Sequence, residues 1–359
     1  MSRRDIYYWK CDRPAAFHGM ALRGTGDGDL AGLLGDALRA HFRTSDVLLR
    51  PGAGQGNHVT FEADVDGRAM FVRIENGPEQ DGHLAVESRV AEMVRGTGVP
   101  VPMVYGCDAS RRHVPFAWQA LERIEARDLN HWLKSGVLDE ARAAFDLGAA
   151  IARWQSLTFR GFGTFAMTGE GALTGHHASY RDYFHLQLAR HLTFLVERGF
   201  LSEGDRAAIE RQVARHDGLL RHAEGCFVHK DLALWNVLGT PERILAIIDF
   251  DDAISGDAMD DLSLLACFHG AAFLGAAIDG YRSIRPLPVE HEARFWLHLL
   301  RNMIVKAVIR VGAGYFDRDD GFFLIAAGGS GGSLKETTRA RLALAVAALA
   351  DGSPISRLG

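Results

Sequence analysis

Between Asp46 and Glu75, in "DVLLRPGAGQGNHVTFEADVDGRAMFVRIE", β-branched and aromatic residues sit between Gly and Asp punctuation. That texture predicts strand, Gly-rich turn, strand, the tight turn "DVDGR" and strand, an antiparallel meander. "GHLAVESRVAEMVRGTGVPVP" then has helical spacing from Leu84, with Gly96 and Gly98 ending the helix and Pro100 preventing its continuation. "FAWQALERI", Phe116 to Ile124, reads as a further strand leading out of this small sheet. From "DLNHWL" onward the spacing is mainly helical, interrupted by a strand-rich island around Phe227–Ala253. The expected organisation is a lead-in over residues 1–45, helical across "DLAGLLGDALRAHF", then a small α+β lobe over 46–123 and a larger helical lobe over 124–359, with Leu121 to Ala126 as hinge.

Composition narrows the partners. The 359 residues are 47% hydrophobic, enough for a sizeable core. A net charge of −5 argues against nucleic acid and against an anionic membrane surface, and favours a small-molecule or protein partner. Cys11, Cys107, Cys226 and Cys267 form no CxxC pair, which suggests neither zinc nor a disulfide framework and fits a reducing cytoplasm. "MSRRDIYYWKCDRP" has no apolar segment after its arginines, so a secretion signal is not expected. The apolar run from Leu262, "LSLLACFHGAAFLGAAI", contains His269 and follows "DAMDD", and reads as a buried helix, not a membrane span. "AAGGSGGS", Ala326 to Ser333, suggests a mobile connection before a last Ala/Leu-rich helix.

The chemistry concentrates in "FVHKDLALWNVL" and "RILAIIDFDDA". Asn236 lies five residues after Asp231, and thirteen further on Asp249 ends the apolar run "ILAII". An apolar strand ending in Asp, beside a loop carrying Asp and Asn, gathers three oxygen-bearing side chains at one sheet edge. Such oxygens suit Mg²⁺ shared with substrate phosphates, and phosphoryl transfer needs little more than that metal and a carboxylate to orient the attacking hydroxyl. Taken alone, "DDAISGDAMDD" is better read as a solvated acidic loop, and the upstream His/Asp/Asn run reverses that reading.

Here the chain resembles the aminoglycoside phosphotransferase and choline kinase-like small-molecule kinases, relatives of the protein kinases. Their signature H-G-D-x-x-x-x-N, then I-D-W/F-x-x-x-x-x-G-D-P-x-x-D-L, is matched by His229-Lys230-Asp231, Asn236, Ile248-Asp249-Phe250, Gly256-Asp257 and Asp261-Leu262, in order and at matching spacing. The resemblance implies a two-lobed protein kinase-like fold with an antiparallel sheet in the small lobe. It implies Asp231 as catalytic base, His229 as support of the catalytic loop, Asn236 and Asp249 as Mg²⁺ ligands, and Asp257 and Asp261 as braces of the loop backbone. In the small lobe it implies nucleotide binding, with ATP, or alternatively GTP, as donor. Gly54, Gly56 and Asn57 match the outline of the family's G-G-x-S-N turn, although on its own "GAGQGN" is better read as a plain hairpin turn and no GK[ST] follows. Arg73 would meet the α- and β-phosphates, held by Glu87; the family more often has lysine there, and Arg differs from Lys in geometry. Backbone atoms around Glu122 and Ile124 would meet adenine. Read structurally, Arg73 and Glu87 are surface residues.

Three alternatives bear on this reading. A protein kinase is disfavoured because Ala233 replaces its catalytic-loop lysine, Asp251 replaces the glycine after Asp249-Phe250, and no A-P-E follows. "AIIDFDDA" is similar to the D-x-D-x-[TV] start of haloacid dehalogenase-type phosphatases, but Ala253 stands in the Thr/Val place and the His229–Asn236 run is left unexplained. A non-catalytic nucleotide-binding scaffold on the same fold is the third. Lys230, where the family usually has Gly, points either to the γ-phosphate or, by the plainer reading, along the loop surface with its ammonium in water. The acceptor, a small-molecule hydroxyl, is expected between Ser179–Gly199 and Leu297–Asp317, whose apolar spacing is mostly core packing; Asp182, Asp252 and Asp317 would attract an amine or be solvated.

Overall fold

In a computed structural model, residues 3–12, 29–52, 58–76, 80–169, 171–318, 322–325 and 329–359 are described. The small lobe is built on a five-stranded antiparallel sheet. Its strands are β1 (Val47–Pro51), β2 (His58–Val65), β3 (Arg68–Glu75), β4 (Val104–Asp108) and β5 (Trp118–Glu122), in the order β1-β2-β3-β5-β4. The β2–β3 turn has Asp66 and Gly67 at φ 53° and 73°, the left-handed pair that matches the twist of a two-residue hairpin. Phe61, Ala63, Val65, Met70, Val72, Ile74 and Trp118 are buried together, and the helix Leu30–Phe42 covers them with Leu34 and Leu38. Asp29 caps that helix by accepting from the Gly32 N–H at 2.8 Å. The helix His83–Gly96 carries Glu87 on its buried face.

The larger lobe is mainly helical. Helices Glu140–Trp154 and Ala271–Arg282 cross closely through two glycines. A Cβ on Gly148 would lie 1.8 Å from the Ala277 carbonyl oxygen, and one on Gly280 1.9 Å from that of Phe145. The helix His291–Gly312 runs through the core with Phe295, Leu299, Leu300, Ile304 and Ala307 buried. Short strands frame the chemistry. Gly225–Val228 pairs with Ile254–Gly256, and the hairpin Val237–Thr240/Arg243–Ile247 pairs Val237 with Ile247.

Three expectations need correction. The apolar run from Leu262 is not one helix: Asp260–Leu265 and Ala271–Arg282 are separate, and Gly270 stands in extended backbone between them. Gly331 to Ser333 are the first turn of the helix Gly331–Asp351, not a mobile connection, because Ser330 and Ser333 cap each other's backbone; residues 326–328 lie outside the described residues. Residues 3–12 are not a featureless lead-in. Tyr7, Tyr8 and Cys11 are buried in the core of the larger lobe, far along the chain from their partners. Among the described residues, no helix is long and apolar enough to cross a membrane.

Candidate active site

The catalytic loop leaves the strand Gly225–Val228 and is pinned from behind. Asp261 accepts the backbone N–H groups of His229 and Lys230, both at 3.0 Å, and the Trp154 indole N–H at 3.2 Å. His229 donates from Nε2 to the Ile248 carbonyl at 3.0 Å and accepts the Asp231 N–H on Nδ1 at 3.3 Å. Burial lowers its pKa, so it is a neutral strut tying the loop to the chain that carries Asp249. Asp257 caps the Met259 N–H at 2.8 Å and is ringed by His222, His298 and Arg294.

The hairpin explains why Asn236 and Asp249 are neighbours: one precedes Val237, the other follows its partner strand, and the Asn236 carbonyl accepts the Ile248 N–H at 3.0 Å. The Asn236 amide donates to the Asp231 carbonyl at 2.8 Å and to its Oδ2 at 3.2 Å. Asp249 has φ 67°, a left-handed conformation that a non-glycine residue adopts only where its surroundings impose it. From the small lobe, Arg73 is paired with Glu87, donates to Gln119 Oε1 at 2.7 Å and places Nη1 3.7 Å from Asp249 Oδ1. Both members of the pair are buried, not surface residues. Arg73 thus joins the two lobes at the metal-binding candidate.

Gly54, Gly56 and Asn57 lie outside the described residues. At the hinge, the Glu122 N–H donates to the Met103 carbonyl at 2.7 Å and the Ile124 carbonyl accepts from Ala126 at 3.0 Å.

Lys230 takes neither course expected of it. Its φ is 68°, which is why glycine suits the position. Its ammonium, however, is buried in the larger lobe against Asp260 Oδ2 at 2.6 Å, the Tyr7 hydroxyl at 3.0 Å and Asn302 Oδ1 at 3.0 Å. Asp252 is not solvated but buried: it accepts the Trp9 N–H at 2.9 Å, and burial pushes its carboxyl up to about 7. Asp251 is buried against Arg3 and His83, so it is not free to serve as the second acid of a phosphatase.

The sequence reading missed the groups closest to Asp231. Its Oδ1 accepts the Tyr8 hydroxyl at 2.6 Å and the Lys306 ammonium at 3.0 Å, and its Oδ2 accepts the Lys10 ammonium at 2.5 Å. Burial would raise this carboxyl, but the two ammonium groups hold it far below the usual carboxylate range. Two signals were present. Asn302, Lys306 and Arg310 recur every four residues in the otherwise apolar stretch 302–311, and "IYYWKC" is too aromatic for an exposed leader.

A two-lobed fold with a pinned Asp loop, an Asn/Asp pair on one hairpin and an Arg–Glu pair reaching across from the small sheet defines a kinase-like phosphotransferase. The sequence model of the phosphotransferase enzyme family matches residues 47–296, and the chain belongs to that family. It is 30% identical over 82 residues to viomycin phosphotransferase of Streptomyces vinaceus, a match spanning 22% of this chain and 28% of that relative. Its fold is similar to that of aminoglycoside phosphotransferase APH(4)-Ia, with TM-score 0.59 at 16% identity over 87% of this chain and 98% of that one. A putative aminoglycoside phosphotransferase from Ralstonia eutropha JMP134 gives TM-score 0.59 at 19% identity, covering 89% and 98%.

Proposed function

We propose that this enzyme moves the γ-phosphoryl group of a nucleoside triphosphate, ATP or GTP, to the hydroxyl of a small molecule, with Asp231 orienting that hydroxyl and accepting its proton. The observation that carries the reading is the convergence of Asp231, Asn236 and Asp249 at one edge, with the Arg73–Glu87 pair reaching Asp249 from the other lobe. A thermostable mutant of APH(4)-Ia has been crystallised in a ternary complex with AMP-PNP and hygromycin B, which lends the nucleotide donor further support.

The donor set suits Mg²⁺. Asn236 and Asp249 offer oxygen ligands, and a cation, the Lys10 ammonium, already sits between Asp231 and Asp249 at 2.5 and 3.2 Å. Held by Asn236 and Asp249, the metal would neutralise phosphate oxygens. The chain's own groups do the rest. Arg73 holds the phosphates against Asp249, and Glu87 fixes Arg73. Backbone atoms of the connection around Glu122 and Ile124 meet adenine. Asp231, pinned by His229 and Asn236, aims the acceptor oxygen. Amino alcohols, sugars and macrolides belong beside aminoglycosides among the candidate acceptors.

The test is Mg²⁺-dependent consumption of ATP and GTP across such an acceptor panel. Asp231→Asn should keep nucleotide binding and lose about 10²–10⁴-fold in turnover. Asn236→Ala and Asp249→Ala should weaken nucleotide binding only when Mg²⁺ is present. Unchanged turnover in Asp231→Asn refutes its role.

A further inference from the structure

The four contacts on Asp231 come from Tyr8, Lys306, Lys10 and Asn236, and a carboxylate offers about four lone-pair sites. An acceptor hydroxyl can therefore reach Asp231 only if one donor leaves. Tyr8 and Lys306 are buried and bonded to each other at 2.9 Å, and Asn236 belongs to the loop. Lys10 is different, with its side chain 31% exposed.

Lys10 is also, among the described residues, the one cation whose ammonium meets both Asp231 and Asp249. Lys306 reaches only the first, Arg73 only the second. In the reaction proposed above, the acceptor oxygen lies on Asp231 and the metal on Asp249, so the transferred phosphoryl group lies between them, beside the Lys10 ammonium. The catalytic loop brings no cation of its own to this place, since Ala233 holds the position where a lysine would stand and Lys230 is turned into the core.

The backbone that carries Lys10 is fixed. Asp12 is fully buried, accepts the Tyr7 and Tyr8 N–H groups at 2.9 and 3.0 Å, and pairs with His191 at 2.5 Å; His191 in turn accepts from Arg301 at 3.1 Å. The Tyr183 hydroxyl donates to the Tyr7 carbonyl, and the Trp9 N–H to Asp252. The segment is thus built into the larger lobe, and of the four donors to Asp231 the Lys10 side chain is the partly exposed one.

We propose that Lys10 is a catalytic residue that crosses from Asp231 to the γ-phosphoryl oxygens when nucleotide and acceptor bind. This rests on the phosphotransferase reading of the site. In the transfer, the acceptor oxygen forms a bond to the γ-phosphorus, the bond from γ-phosphorus to the β-bridging oxygen breaks with its electrons going to the leaving nucleoside diphosphate, and the hydroxyl proton passes to Asp231. Lys10 keeps its three protons and offsets the charge on the equatorial oxygens, acting as a point charge.

The experiment compares Lys10→Met and Lys10→Arg with the wild-type enzyme by calorimetric titration of ADP and of AMP-PNP, both with Mg²⁺, and by steady-state kinetics. Lys10→Met should bind ADP as the wild type does, lose roughly 10-fold in AMP-PNP affinity, and lose about 10²-fold in kcat with little change in acceptor KM, while Lys10→Arg recovers most of both. Equal affinity changes for the two nucleotides, or none, would overturn the assignment. Higher turnover in Lys10→Met would also overturn it and make the segment an internal inhibitor. Because the ADP/AMP-PNP comparison does not depend on turnover, it stands even if Asp231→Asn proves active and the base assignment fails.

Discussion

Replacing Lys230 by glycine sets two opposed effects against each other in one residue. At φ 68° a non-glycine side chain is strained, and glycine removes about 1–2 kcal/mol of that strain. The same change leaves Asp260, wholly buried, without the ammonium 2.6 Å from its Oδ2. Breaking a buried ion pair by removing one partner costs about 3–5 kcal/mol. The glycine-containing unfolded chain is also more flexible, by about 0.4–1 kcal/mol. The pair dominates, and Lys230→Gly should lose about 2–4 kcal/mol in urea unfolding with the slope unchanged. Asn302 still donates to Asp260 at 2.8 Å, which keeps the loss toward the lower end. Adding Asp260→Asn removes the orphaned charge, so the double variant should be more stable than Lys230→Gly, with a coupling of about 1–3 kcal/mol in the double-mutant cycle. A Lys230→Gly protein as stable as the wild type, or additive behaviour of the two changes, would refute the assignment of Lys230 as a buried counter-ion.

Other consequences are testable in the same way. Arg73→Ala should raise the nucleotide KM well before it changes acceptor KM, and an unaltered nucleotide KM removes Arg73 from the site. Since Lys10 and Lys306 hold Asp231 far below the usual carboxylate range in the free enzyme, the pH profile of kcat/KM, which reports that state, should show no acidic limb from Asp231 between pH 5 and 8; a limb present in the wild type and lost in Asp231→Asn would contradict this. Asp252, whose carboxyl burial pushes up to about 7, faces Lys10, Asp231, Asp249 and Asp251. With its folded pKa above the unfolded one, it costs stability as pH rises from about 4 through 7, so Asp252→Asn should stabilise by about 2–4 kcal/mol at pH 8 and by almost nothing at pH 4. Equal effects at both pH values would exclude that cause.

How legible was this site in the sequence? The loop residues were readable because their chemistry is local: Asp231 and Asn236 share one loop, and an apolar strand delivers Asp249 beside them. The small-lobe meander was readable from its turns, since Asp66 and Gly67 have the residue types that a left-handed hairpin turn requires. Strand β4 escaped notice because Val104 to Asp108 is half-buried throughout and lacks alternation. Lys10 and Lys306 escaped for a different reason. Each reaches Asp231 only through tertiary packing, across 221 and 75 residues of chain, and no local spacing encodes such an encounter. Lys230 shows the same limit: its left-handed backbone could be suspected from the glycine it replaces, but the direction of its ammonium depended on Asp260, Tyr7 and Asn302 being gathered behind the loop.

The central claim, phosphoryl transfer to a small-molecule hydroxyl dependent on Asp231, is tested most directly by ³¹P NMR of the enzyme with Mg²⁺, nucleoside triphosphate and each acceptor in turn. The account predicts a new phosphomonoester resonance growing in step with the nucleoside diphosphate for a responsive acceptor, and its loss in Asp231→Asn under conditions where that variant still binds nucleotide. Phosphomonoester formation at the wild-type rate by Asp231→Asn, or diphosphate formation that yields only inorganic phosphate with every acceptor, would contradict it.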